Sequence, residues 1–109
     1  MNVEKRPAGL APERSRLEAV ARGRVQGVGF RYTVLREALD LDVEGWVANE
    51  PDGSVRCVAE GPRDRLETLL AILRAGPPSG RVEHVAVSWQ PARGGLGRFT
   101  VRSGGHPGD

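Results

Sequence analysis

Apolar positions change their spacing several times along this chain of 109 residues. Leu17 to Val25 alternates imperfectly between apolar and polar positions, which predicts a first strand. Gly27 and Gly29 interrupt it. From Phe30 the period lengthens: Phe30, Val34, Ala38 and Leu41 fall on one face of a helix. Val43 to Asn49 reads as a second strand. Pro51-Asp52-Gly53 has turn chemistry, and Gly53 to Glu60 reads as the returning strand of a hairpin. Pro62 stands where a second helix would begin, its missing N–H being unneeded there. Leu66, Leu69, Leu70 and Leu73 then follow helical spacing until Gly76-Pro77-Pro78. Val82 to Trp89 is a fourth strand with Val85, Val87 and Trp89 on one face. After the glycine-rich stretch from Gly94 to Gly97, Phe99-Thr100-Val101 is a short last strand.

The order is β-α-β-β-α-β with a short extra strand. It predicts an α+β, ferredoxin-like split βαβ fold: a two-layer sandwich of an antiparallel sheet with two helices on one face. Pro, Gly and charge at 1–15 read as a flexible leader. Residues 16–102 read as the domain, and 103–109 as a flexible tail. Such a fold hosts many activities, so function must come from a site.

Composition narrows the classes. No apolar run approaches the roughly 20 residues that span a bilayer, and the N-terminus lacks the apolar core of a secretion signal, so a cytoplasmic location is expected. Net charge is +2. The 16 basic residues, of which only Lys5 is a lysine, are interspersed with acidic ones, which speaks against a nucleic-acid stripe. An RNA-binding sheet would also show aromatics on its open face. The third strand offers Arg56, Val58 and Glu60 there. The lone Cys57 excludes an internal disulfide; it alternates with Val55 and Ala59 and is expected to be a buried structural thiol. His84 and His106 are isolated and no carboxylates show ligand spacing, so no metal site is expected.

The segment richest in chemistry is Gly23-Arg24-Val25-Gln26-Gly27-Val28-Gly29-Phe30-Arg31. It leaves a strand, passes two closely spaced glycines and enters a helix. Glycines let consecutive N–H groups turn inward, and the helix start adds its unpaired donors and dipole, which together suit an anion. Arg31, in the first turn, can close over the same anion with its planar donor fork. Neither the Walker loop nor the dinucleotide G-x-G-x-x-G is present, so the expected guest is a single small phosphoryl group. In a split βαβ unit the first and second strands run parallel, with one strand between them. Their C-terminal ends therefore bring Asn49 to the edge that holds Arg31. Asn is a poor strand former, which marks Asn49 as a candidate site residue.

Gly-Arg-Val-Gln-Gly-Val-Gly-Phe-Arg (Gly23–Arg31), followed by Gly-Trp-Val-Ala-Asn (Gly45–Asn49), resembles the signature pair of the acylphosphatase family. Pro51–Val55 and Ala59–Pro62 resemble it too, and the likeness runs from Leu17 to Arg102. The resemblance implies metal-free hydrolysis of acyl phosphates, without a cofactor. Arg31 would be the phosphate-binding arginine, Asn49 the asparagine that positions water, and the Gln26, Gly27, Val28, Gly29 and Phe30 backbone the phosphate cradle. The chain departs from the family at Asp42, where a helix-ending glycine is usual, and at Val34, where a threonine is common.

The expected partner is a small-molecule acyl phosphate, with no nucleic acid or membrane, and the chain is expected to be a monomer. The competing reading is a non-catalytic acylphosphatase-like module that binds phosphate without turnover. Domains of that kind open larger carbamoyl-transferring proteins and often carry Pro directly after the loop arginine; here Tyr32 stands at that position.

Overall fold

The structure, a computed structural model, describes residues 13–103. Most of the expected leader, the end of the expected tail and His106 lie outside them. Seven elements follow in order: β1 (Arg14–Arg24), α1 (Phe30–Leu41), β2 (Glu44–Asn49), β3 (Val55–Pro62), α2 (Arg63–Ala75), β4 (Arg81–Pro91) and β5 (Thr100–Arg102).

The sheet order is β4-β1-β3-β2-β5. β3 lies between β1 and β2 and is antiparallel to both, which makes β1 and β2 parallel to each other, as expected. The sheet is mixed, however. β5, the short extra strand, pairs in parallel with β2, matching Trp46 to Thr100 and Val47 to Val101, so the antiparallel sheet expected of the split βαβ unit carries a parallel edge strand. The 92–99 segment causes the difference, because it crosses the sheet before the chain returns to the edge beyond β2. Two boundaries also move. β1 starts at Arg14, because Arg14 and Ser15 pair with Pro62 and Gly61. Pro62 ends β3 with ψ 140, so α2 begins one residue later, at Arg63.

Both helices lie on one face. Leu17, Ala19 and Ala21 of β1, Val47 of β2 and Val55, Cys57 and Ala59 of β3 meet Phe30, Val34 and Ala38 of α1 and Leu66, Leu69 and Leu73 of α2 in one core. Val85, Val87 and Trp89 share the expected face, but β4 is an edge strand and they stay half-buried. Cys57 is fully buried, and burial pushes its thiol up to about 12. α1 ends at Asp42, whose backbone is left-handed (φ 56), and the Val43 N–H donates to the Ala38 carbonyl at 3.2 Å. Aspartate thus occupies a helix stop that glycine usually fills.

The opposite face of the sheet is less open than strand alternation implies. Val58 and Glu60 were expected to face solvent, yet they are 2% and 0% exposed. Val58 lies between Trp46 and Glu18 on neighbouring strands. Glu60 is covered by the 92–99 segment: its carboxylate accepts hydrogen bonds from the N–H groups of Arg93 (2.9 Å) and Gly94 (2.8 Å) and from Arg16 Nη1 (2.9 Å).

Candidate active site

The chain leaves β1 at Arg24 and enters α1 at Phe30, and the intervening loop is pinned at both ends by side chains in the core. Val25 and Phe30 are each 1% exposed. Between them the backbone turns through left-handed conformations at Gly27 (φ 72) and Gly29 (φ 78). A side chain at either position would meet no atom within 4 Å, so the demand for glycine is set by the backbone angle and not by crowding. Gly29 caps α1, and its carbonyl accepts the Thr33 N–H at 3.1 Å. The N–H groups before Thr33 in the first turn have no acceptor within their own helix, as at any helix start.

An open cleft of about 160 Å³ lies here, lined by Val25, Gly27, Gly29, Phe30, Arg31, Tyr32 and Asn49. It is smaller than the roughly 300 Å³ at which drug-sized pockets begin, which suits a phosphoryl group better than a nucleotide. Arg31 arrives on the first turn of α1 and is only 6% exposed. Its Nη1 donates to the Arg102 carbonyl at 2.7 Å, so the last strand fixes the guanidinium. Asn49 ends β2, opposite Val55, and is 2% exposed. The parallel arrangement of β1 and β2 thus brings together two polar residues separated by 18 positions in sequence.

Five of the seven residues named from sequence line the cleft: Gly27, Gly29, Phe30, Arg31 and Asn49. Val28 and Gln26 are in the loop, but their groups are engaged elsewhere. The Val28 carbonyl accepts from Ser79 Oγ at 3.3 Å. The Gln26 side chain turns toward the β2–β3 hairpin, where its Nε2 donates to the carbonyls of Glu50 (2.8 Å) and Ser54 (2.9 Å). Tyr32, which no sequence pattern marks as a site residue, is 58% exposed at the rim with the Arg31 guanidinium carbon 5.8 Å from its ring centre. The Arg102 carbonyl, a backbone group, likewise has no sequence signature.

The hairpin carries its own electrostatics. Asp52 accepts from the Ser54 hydroxyl (2.6 Å), the Ser54 N–H (3.0 Å) and Arg22 Nη1 (3.0 Å), in that order of effect, and these hold its carboxyl down at about 2. Among the described residues no group of three or more His, Cys, Asp and Glu side chains is placed to hold a metal ion. His84 is exposed on β4, away from the cleft.

Fold and cleft together define a small α+β domain whose glycine-bearing strand-to-helix loop borders an open cleft. The acylphosphatase family model matches residues 17–101. The chain is 46% identical over 100 residues to an acylphosphatase of Nocardia farcinica, covering 92% of this chain and 100% of that protein. It is 53% identical over 87 residues to an acylphosphatase of Salinibacter ruber, covering 80% of this chain and 92% of that one. The crystal structure of acylphosphatase from Bacillus subtilis superposes with a TM-score of 0.78 at 36% identity, covering 81% of this chain and 98% of that chain. The chain belongs to the acylphosphatase family, and the enzymatic activity it carries is that of an acylphosphatase.

Proposed function

We propose that the protein hydrolyses the carboxyl–phosphate bond of small acyl phosphates without a metal or cofactor, with Arg31 and the 26–30 backbone holding the phosphoryl group and Asn49 positioning the attacking water. One observation carries this reading. Arg31 and Asn49 reach the same small cleft from different elements, both nearly buried, beside a glycine loop at a helix start.

Few groups are needed because the substrate is already activated. The water oxygen forms a bond to phosphorus while the bond from phosphorus to the acyl oxygen breaks. The electron pair of that bond leaves with the carboxylate, a weak base that needs no general acid. The proton released by the water passes to a phosphoryl oxygen of the substrate itself. The protein's task is then positioning and neutralisation of charge on the equatorial oxygens. The N–H groups of the loop and helix start, with the Arg31 fork, suit that charge, since charged donors make short, strong bonds to phosphate. The Asn49 amide offers a carbonyl oxygen to hold the water. The reading places the protein in the cytoplasm as a monomer. Among the described residues no helix is long and apolar enough to cross a membrane.

Two assays test this. Turnover of benzoyl phosphate should be unchanged by excess EDTA, and inorganic phosphate should inhibit competitively. EDTA-sensitive turnover would contradict the metal-free mechanism. Phosphate binding without turnover would mark a binding module instead.

A further inference from the structure

We propose that the Gln26 side chain is a positioning residue that sets the distance between the phosphate cradle and Asn49. This rests on the reading of Asn49 as the group that holds the water. Gln26 contributes backbone to the loop, yet its amide leaves the cleft and enters the mouth of the β2–β3 turn. The two carbonyls it meets are those that close the turn. The Glu50 carbonyl also accepts the Gly53 N–H (3.0 Å), and the Ser54 carbonyl the Glu50 N–H (2.8 Å). Glu50 directly follows Asn49, and Ser54 directly precedes Val55, the cross-strand partner of Asn49. One –NH₂ group, with two hydrogens, therefore brackets Asn49 on both sides.

The cradle has a second anchor that does not involve Gln26. Ser79 Oγ donates to the Val28 carbonyl, and Gly80 packs so closely that a Cβ there would lie 2.9 Å from the Arg24 carbonyl oxygen and 3.1 Å from Val28 Cγ2. α1 holds the loop's far end through Gly29. Removing the Gln26 amide thus leaves the phosphate seat anchored but frees the end of β2 to shift against it. The expected defect is in placing the water, not in binding the phosphoryl group.

The test is a double-mutant cycle read by steady-state kinetics on benzoyl phosphate, with inorganic phosphate as the binding probe. Gln26→Ala should lower kcat by on the order of 10-fold to 10²-fold, the scale of an ångström-sized misplacement. The inhibition constant of inorganic phosphate should stay within about threefold, because its seat is anchored elsewhere. In an Asn49→Ala background, Gln26→Ala should cost less than about twofold more, since a residue that acts through Asn49 has nothing left to position. Gln26→Met keeps the volume, removes the donors and carries the same expectations if the alanine variant fails to fold. An unchanged kcat overturns the inference. So does a phosphate inhibition constant that rises in step with the loss of kcat, or a full additive cost on top of Asn49→Ala. A normal kcat in Asn49→Ala alone would sink the water-positioning reading itself, and the inference with it.

Discussion

Glu60 should be among the most costly single residues to remove, although it lies far from the cleft. Its carboxylate is fully buried and accepts three hydrogen bonds, from Arg16 Nη1, the Arg93 N–H and the Gly94 N–H. Glu60→Ala deletes all three. Two backbone N–H groups then lose their acceptor under the 92–99 segment, and Arg16 keeps only Glu18, bonded through Nε at 2.8 Å. Breaking a buried charged pair costs about 3–5 kcal/mol. Against a total stability of about 5–15 kcal/mol, that is a large fraction. For a domain of this size the expected fall in Tm is roughly 10–40 °C, at about 4–8 °C per kcal/mol. Glu60→Gln keeps one acceptor oxygen but turns an –NH₂ toward other donors, so it should fall between wild type and alanine. The assay is urea unfolding followed by circular dichroism at low temperature, where the variant stays folded. Val55, the partner of Asn49, lies about 17 Å further along β3 at ~3.3 Å per residue. In the folded protein kcat should therefore stay within about threefold of wild type. A Glu60→Ala protein within about 1 kcal/mol of wild type would refute the reasoning, because it would mean that the buried carboxylate contributes almost nothing net.

Acid should destabilise the fold in a defined window. Burial alone would raise the Glu60 carboxyl, but the Arg93 N–H, Arg16 and the Gly94 N–H outweigh it; Arg16 lowers Glu18, and the Ser54 hydroxyl, the Ser54 N–H and Arg22 lower Asp52 to about 2. Each folded value lies below its unfolded one, so the stabilisation is full above about pH 5 and is lost as pH falls through about 4 toward 2. The urea midpoint should drop across that range, and a midpoint that rose on acidification would contradict these assignments. Gly29→Ala should destabilise by roughly 1–2 kcal/mol from its positive φ alone and should weaken inhibition by inorganic phosphate; an unchanged inhibition constant would separate the loop from the anion site. Cys57 should resist thiol reagents in the native protein, and Cys57→Ala should retain full kcat, since the thiol is buried in the core away from the cleft.

Element order was legible in the sequence because the apolar period changes cleanly at Phe30 and again before Leu66, and because glycine and proline mark the joins. The meeting of Arg31 and Asn49 was legible too, since a split βαβ order alone places the ends of β1 and β2 together. Three features were not. Strand alternation puts Glu60 on the outer face but does not show that this face is covered; the cover comes from the 92–99 segment, whose path depends on β5 crossing to the far edge. Arg31 is held by the Arg102 carbonyl, an acceptor every residue possesses and no pattern marks. The loop pattern gives Gln26 only a backbone role, whereas its side chain reaches 24 and 28 positions along the sequence to the hairpin, a contact set by tertiary geometry alone.

The most direct test of the account is the kinetics of Arg31→Ala on benzoyl phosphate, with wild type in parallel and both in EDTA. Arg31 is the one charged side chain lining the cleft among the described residues. Its loss should lower kcat/KM by roughly 10²-fold or more, the scale of a lost transition-state donor, while circular dichroism stays native. A natively folded Arg31→Ala enzyme with near-normal kcat/KM would contradict the assignment of this cleft as the active site.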